Sequence, residues 1–97
     1  MSGPIQSREH EVLGNAVREA RARRGLSQER LGALAGLHRN YVGAIERGEI
    51  NPTFRVLQKL GDGLRMELSE LFALYESRRD DPPRRQRRRR RRARERT

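Results

Sequence analysis

Several residue types are absent or scarce in this chain of 97 residues. It contains no cysteine, so neither disulfides nor a thiolate metal site can hold the fold, which suits a reducing cytoplasm. It has no tryptophan, and it has no apolar run long enough for a membrane span or the core of a secretory signal. A chain of this length predicts one small domain, beside whose limited core a deep substrate pocket is hard to fit.

Lysine is nearly absent as well, and arginine carries the positive charge very unevenly along the chain. The formal net charge is +10, of which ten arginines and one glutamate in residues 84–97 supply +9. The other 83 residues carry 13 basic and 12 acidic side chains. The composition therefore predicts a nearly neutral domain joined to a cationic tail, so any nucleic-acid affinity of the domain has to come from locally placed groups.

The sequence pattern divides the chain into three segments. Residues 1–10 are interpreted as a flexible N-terminal arm and residues 11–77 as the folded domain. Residues 78–97 are interpreted as a disordered arginine-rich C-terminal tail, because like charges repel and Pro82-Pro83 cannot continue a helix. Within the domain, apolar residues recur at spacings of three and four, which predicts an all-α fold.

Glycines and capping residues delimit five predicted helices. They are expected from residue 11 to Gly25, from Ser27 to Gly36, over about residues 38–47, over residues 54–64 and over residues 68–77. Only the turn Gly36–Leu37 separates the second helix from the third, which is the spacing of a helix-turn-helix. Leu34 and Phe54 are assigned to the buried stripes of the second and fourth helices.

The third predicted helix has an unusual outer face. At about 100° per residue, Val42 and Ile45 point inward and Asn40 lies on the opposite side. The small residues Gly43 and Ala44 occupy the middle of this outer face, so the helix backbone could approach a partner closely. A DNA major groove admits such a helix, and recognition helices present their N-terminal residues to base edges.

The stretch LSQERLGALAGLHRNYVGAIERGEINPTFRVLQKLGDGLRMELSELF resembles the phage-repressor/Cro-type (XRE) helix-turn-helix family. Its GLHRNY and IERGEINPT portions are most similar to restriction–modification controller proteins and related small regulators. The resemblance covers roughly residues 12–75. It implies a compact five-helix lambda-repressor-like domain that binds double-stranded DNA and uses no cofactor.

The resemblance also implies roles for individual residues. Arg39 and Asn40 match base-contacting positions at the start of the recognition helix, and Ala44 matches a position where base contact is common. The chemistry agrees, since arginine pairs with guanine, asparagine pairs with adenine and a methyl group contacts that of thymine. A phosphate contact for Arg39 and a hydrogen bond at the helix start for Asn40 are the alternatives.

A further set of side chains is expected at the DNA backbone. The predicted phosphate-contacting residues are Ser27, Gln28, His38, Tyr41, Arg47, Asn51 and Thr53. Ser27 and Thr53 begin helices, whose free N–H groups suit phosphates. Capping of the helix start is an alternative for His38, partial packing for Tyr41 and charge–dipole stabilisation for Arg47.

Two features concern the architecture rather than contacts with DNA. Arg21 falls on the inner stripe of the first helix and Glu46 flanks the inner face of the third. Because an unpaired buried charge is expensive, we expect a structural Arg21–Glu46 ion pair that sets the angle of the recognition helix. Arg65 stands where the family usually has glycine, which, together with Gly61 and Gly63, predicts a loose boundary between the last two helices.

The apolar surface of the fifth helix is larger than one bundle needs, because it includes Phe72, Leu74 and Tyr75. We therefore expect a homodimer interface there.

The sequence contains no catalytic or metal-ligating arrangement, and we expect a protein that is not an enzyme. The leading hypothesis is a sequence-specific transcriptional regulator that binds an inverted-repeat operator as a homodimer. It would repress by occupying a promoter or activate by touching RNA polymerase. We expect a bacterial or phage protein that is cytoplasmic and associated with the nucleoid.

The alternative function is an antitoxin-like protein-interaction module, with autoregulatory DNA binding and a tail that neutralises a partner. The arginine-rich tail itself has three interpretations. It adds sequence-independent phosphate affinity with a steep salt dependence, it binds RNA or another acidic partner, or it is a functionally slight extension in an arginine-biased proteome.

Overall fold

The computed structural model describes residues 7–80, and this range folds into five α-helices without a β-strand. The helices are α1 (Arg8–Arg23), α2 (Gln28–Ala35), α3 (Arg39–Glu46), α4 (Phe54–Leu64) and α5 (Leu68–Arg79). The all-α, five-helix prediction is therefore confirmed. The predictions for the outer parts of the arm and tail, residues 1–6 and 81–97, lie outside the described residues.

Helix α1 begins at Arg8, three residues earlier than predicted. The cause is Ser7, which is the N-cap and whose hydroxyl accepts the backbone N–H of His10 at 3.2 Å. Acidic residues in the first turn, Glu9 and Glu11, further favour the helix at this end because they face the positive end of its dipole. The predicted arm therefore extends too far at residues 8–10.

Helix α5 continues two residues past its predicted end at residue 77, as far as Arg79. Arg78 and Arg79 occupy its last turn, where cations are favourable to the helix dipole. Arg78 also pairs with Glu19 of α1 at 2.7 Å between Nη2 and Oε2. The predicted tail therefore begins too early, because this contact with α1 is not visible in the local sequence pattern.

The core lies between all five helices. Its fully buried aliphatic side chains are Val17, Leu31, Val42, Ile45, Leu60, Leu64 and Leu71. Helices α2 and α4 approach closely at Gly63, where a Cβ atom would lie only 2.9 Å from Leu31 Cδ1 and 3.1 Å from Ala35 Cβ. Gly63 thus permits tight packing of α4 on α2, although it lowers the helix propensity of α4.

Leu34 and Phe54 are not buried, contrary to the sequence-based expectation. Leu34 is 47% exposed, because the buried side of α2 is displaced toward Gly32, which packs against the backbone of the following turn. Phe54 is 66% exposed. It is the first residue of α4, and since helical side chains lean toward the N-terminus, its ring projects beyond the end of the helix.

The junction between α4 and α5 is closed by hydrogen bonds, in contrast to the loose boundary that was expected. Arg65 adopts the left-handed conformation with φ of 57°, the one positive φ of a non-glycine residue among the described positions. Its N–H donates to the Asp62 carbonyl at 3.1 Å, and the Met66 N–H donates to the Gly61 carbonyl at 2.9 Å. Arg65 therefore occupies the left-handed position after the end of α4, where glycine is the usual residue.

We expect Arg65→Gly to stabilise the domain by roughly 0.5–1 kcal/mol, because glycine removes the steric cost of the left-handed backbone but adds entropy to the unfolded chain. Thermal and urea unfolding would measure the change. The matched control is Arg65→Ala, which deletes the same side chain but keeps the strained backbone. Equal stability of the two variants would contradict the assignment of strain to this residue.

Candidate nucleic-acid interface

Helix α3 presents its N-terminal end to solvent and buries the opposite side. Arg39 and Asn40, in its first turn, are exposed, whereas Val42 and Ile45 are completely buried. His38 is the N-cap, and its Nδ1 atom accepts the backbone N–H of Asn40 at 3.0 Å. The two residues expected to contact bases therefore stand side by side at the exposed beginning of a helix whose orientation the core determines.

The middle of the outer face of α3 is less open than predicted. Gly43 is buried, and a Cβ atom there would lie 3.0 Å from Arg47 Nη1 and 3.5 Å from Gln28 Oε1. The side chains of Gln28 and Arg47 thus cover this position, because α2 packs beside α3. Ala44 is half-buried. The expectation that Gly43 forms a free approach surface is wrong, and the exposed part of α3 is concentrated at its N-terminus.

The carboxylate of Glu46 is the centre of a hydrogen-bond network that joins three helices. Glu46 is 1% exposed, and it is the one charged residue within residues 7–80 that is buried. Arg21 of α1 binds both of its oxygens, with Nε 2.6 Å from Oε2 and Nη2 3.1 Å from Oε1. Gln28 of α2 donates from Nε2 to Oε1 at 2.9 Å. Arg21 also donates to the Leu26 carbonyl at 2.8 Å, which secures the turn between α1 and α2.

Arg18 is a fourth member of this network, and the sequence analysis did not identify it. Its Nε atom lies 3.5 Å from Glu46 Oε1. Arg18 precedes Arg21 by three residues and therefore shares its side of α1, a spacing that could have indicated the contact. All buried side-chain nitrogen and oxygen atoms within residues 7–80 have a hydrogen-bond partner, so this polar cluster is fully satisfied.

The C-terminal end of α3 rests directly on the backbone of α1. A Cβ atom on Gly14 would overlap the carbonyl oxygens of Ile45 and Glu46. Gly48, which follows α3 with φ of +75°, faces α1 in the same way, and a Cβ atom there would lie 2.9 Å from Glu11 Cα. These two glycines bring the helices into backbone contact, so α1 supports the recognition helix at the end opposite to Arg39.

We expect Glu46→Gln to destabilise the fold by about 3 kcal/mol, because the change removes the countercharge of Arg21 and keeps the volume of the side chain. Thermal unfolding of the purified protein would measure it. The control is Glu49→Gln, which opens an exposed ion pair and is expected to leave the melting temperature close to that of wild type. An unchanged melting temperature for Glu46→Gln would show that the buried pair does not stabilise the domain.

Three predicted phosphate-contacting residues are N-caps, and each retains a hydrogen-bond donor. The hydroxyls of Ser27 and Thr53 accept the backbone N–H groups of Arg30 and Val56 at 2.9 and 3.1 Å, which leaves each O–H free to donate. His38 accepts through Nδ1, so the proton of its neutral ring is on Nε2. All three residues are exposed at the starts of α2, α3 and α4.

Arg47 forms an exposed ion pair with Glu49, in which Nε and Nη2 lie 2.8 and 3.1 Å from the two carboxylate oxygens. Their hydrogen bond and charge attraction raise the pKa of Arg47 above its ordinary value and lower the pKa of Glu49. Arg47 therefore stays cationic, and Glu49 stays ionised over a wider acidic range. A phosphate that binds Arg47 has to compete with this carboxylate.

Asn51 and Tyr41 lie apart from the N-cap residues. Asn51 lines an open cleft together with α1 and α5 side chains, namely Glu9, His10, Leu13, Phe72 and Tyr75. It therefore neighbours two of the three residues predicted to form a dimer interface. Tyr41 is half-buried and its side chain packs against the core, as the alternative interpretation allowed.

The proposed dimer residues differ in exposure. Phe72 is 39% exposed, whereas Leu74 and Tyr75 are half-buried and pack against the core.

No group of three or more metal-binding side chains occurs within residues 7–80. In the same range, every helix is too short or too polar to cross a membrane.

Helices α2 and α3 are consecutive and are joined by a tight turn. Helix α3 is exposed at its start and buried along its inner side. This arrangement defines a helix-turn-helix protein. A helix-turn-helix family model (HTH_3) matches residues 17–71. The chain therefore belongs to the helix-turn-helix family, in which it is an XRE-type regulator, and the resemblance stated from the sequence is confirmed.

Three known proteins illustrate what this chain is similar to. The HTH-type transcriptional regulator YgzD of Bacillus subtilis is 40% identical over 64 residues, which cover 66% of this chain and 97% of that protein. Control protein C.SmaI of Serratia marcescens is 41% identical over 61 residues, or 63% of this chain and 73% of that protein. The restriction-modification controller protein C.AhdI of Aeromonas hydrophila has a known crystal structure and is 45% identical in sequence. Its structure matches with a TM-score of 0.63 over 64% of this chain and 94% of that chain.

Proposed function

We propose that the protein is a sequence-specific DNA-binding transcriptional regulator that acts as a homodimer on an inverted-repeat operator. The observation that carries this proposal is the exposed pair Arg39 and Asn40 at the start of α3, a helix fixed by the core and by Glu46. Inserted into the major groove, α3 would direct these side chains at base edges. The controller proteins among its relatives support a role as a small regulator of the same kind.

Base discrimination is assigned to three residues. Arg39 would pair with guanine through its two-pronged guanidinium, and Asn40 would pair with adenine through its amide. Ala44, one turn farther along α3, is half-buried and offers a methyl group to a thymine methyl at the edge of the contact. Specificity therefore depends mainly on the first turn of α3.

Contacts with the DNA backbone are assigned to residues at the starts of α2, α3 and α4 and in the segment that follows α3. The donors left on Ser27, His38 and Thr53 would bind phosphates beside three helix N-termini, where the helix dipoles favour anions. Arg47 would exchange Glu49 for a phosphate. The further members of this set are Gln28, Tyr41 and Asn51, of which Asn51 has the weakest support because it faces the α1–α5 cleft.

We expect Arg39→Ala and Asn40→Ala each to reduce the preference for the operator by about 10- to 100-fold, because each bidentate base contact discriminates by roughly 1–3 kcal/mol. The operator would first be selected from a randomised duplex library. Fluorescence anisotropy would then compare the selected duplex with a mixed-sequence duplex.

The control for these variants is Arg65→Ala, which removes an exposed cation at the far end of α4. It is expected to leave the ratio of the two affinities unchanged. If Arg39→Ala preserves this ratio as well, α3 does not select bases through Arg39. If the wild-type protein enriches no sequence from the library, the proposed function is wrong.

The homodimer is assigned to the outer side of α5. Its apolar residues surround the helix, so Leu71 is completely buried while Phe72 remains 39% exposed. Leu74 and Tyr75 would contribute their exposed parts. A twofold axis at this surface would double the number of bases contacted, with half-sites about one helical turn, or roughly 34 Å, apart.

We expect Phe72→Glu to convert the dimer into a monomer, because it places a charge at the centre of the apolar surface. Sedimentation equilibrium would measure the mass, and binding to an inverted repeat would fall by more than about tenfold relative to wild type. The matched control is Leu34→Glu, which places the same charge on an exposed leucine of α2. A dimer that survives Phe72→Glu would move the interface away from α5.

A further inference from the structure

The side chains of Arg18 and Gln28 converge on one oxygen of a buried carboxylate. Glu46 Oε1 lies 3.5 Å from Arg18 Nε and accepts Gln28 Nε2 at 2.9 Å. Because the carboxylate is completely buried on the inner side of both groups, it holds them at the junction of α1, α2 and α3. Glu46 therefore positions two polar side chains from different helices next to each other.

The charge at this junction is not balanced. Arg21 and Glu46 form a two-pronged pair and neutralise each other, which leaves the guanidinium of Arg18 as surplus positive charge. The residues three and four positions away from Arg18 on α1 are Gly14, Asn15, Arg21 and Ala22, so none of these neighbours is acidic. The side chain of Arg18 is 39% exposed, and its charge is therefore available at the surface.

Both groups also retain hydrogen-bond donors. Arg18 approaches Glu46 with Nε, so its two terminal nitrogens remain available for a second anion. Gln28 uses one N–H to donate to Glu46 and keeps the other. Gln28 is moreover the first residue of α2, where the positive end of the helix dipole adds to the charge of Arg18.

We propose that Arg18 and Gln28 together bind one phosphate of the DNA backbone beside α3, with Glu46 as the positioning residue beneath them. The ligand is thus a phosphodiester of the same duplex that α3 contacts, and this inference rests on the proposed function. Arg18 is the new member, and it adds a contact from α1, the helix that supports α3.

Affinity as a function of salt concentration tests the role of Arg18. Each phosphate neutralised contributes about 0.9 to the slope of log affinity against log salt, so Arg18→Ala should flatten this slope by about 0.9 for the selected duplex. At low salt the affinity should fall about tenfold. Arg18→Lys keeps the charge and should restore most of the slope. Arg65→Ala removes the same charge far from α3 and should leave the slope near that of wild type.

A double-mutant cycle tests whether Arg18 and Gln28 share one phosphate. Gln28→Ala removes a neutral donor, so it should weaken binding without changing the salt slope. If one phosphate is shared, the double variant should bind at least about threefold better than the product of the two single losses predicts. Melting temperatures of Arg18→Ala within about 2 °C of wild type would exclude a merely structural effect, since Arg21 and Gln28 still bind Glu46.

The outcomes separate this inference from the proposed function. If the wild-type protein selects an operator but Arg18→Ala matches Arg65→Ala in affinity and slope, the phosphate site is wrong and the regulator assignment stands. Losses that multiply without coupling would show that Arg18 and Gln28 do not share a phosphate. A wild-type protein that selects no sequence would overturn both.

Discussion

The pairing of Arg21 with the buried carboxylate of Glu46 is the interaction on which the arrangement of this domain depends. It joins α1 to α3, and Gln28 extends it to α2, so the helix-turn-helix unit cannot rotate on the rest of the bundle without exposing or unpairing a charge. Aliphatic packing alone would tolerate small rotations at little cost. A buried hydrogen-bonded charge permits fewer orientations of the helices. The exposed side chains of α3 are therefore held in defined positions as well.

The polar groups of the domain divide into two tasks. Glu46 and Arg21 point inward and determine geometry, whereas Arg39, Asn40 and the N-cap residues point outward with donors available. The domain itself is almost neutral, so its affinity for DNA has to come from where the donors lie and not from a general positive field. An N-cap side chain can serve both tasks, since the Thr53 hydroxyl accepts a backbone N–H at the start of α4 and keeps its own proton to donate.

Much of the architecture could be predicted because the responsible patterns are local. Spacings of three and four, glycines after helices and a Ser or Thr before them indicate five helices, and a charged residue on an inner stripe indicates the contact of Arg21 with Glu46. Gly43 and Leu34 could not be placed in this way, because their exposure depends on which neighbouring helix covers them. Phe54 shows a second limit, since the first residue of a helix follows the apolar spacing of that helix but has no neighbouring side chain to cover it.

Helix α1 packs on both α3 and α5, while α3 and α5 make few direct contacts. At 16 residues it is roughly 24 Å long, and it connects α5 to α3. A tilt of about 5° at one end moves the other by roughly 2 Å, more than half of the ~3.4 Å rise of a base pair. The backbone contacts at Gly14 and Gly48 thus restrict how far α3 can move relative to α1.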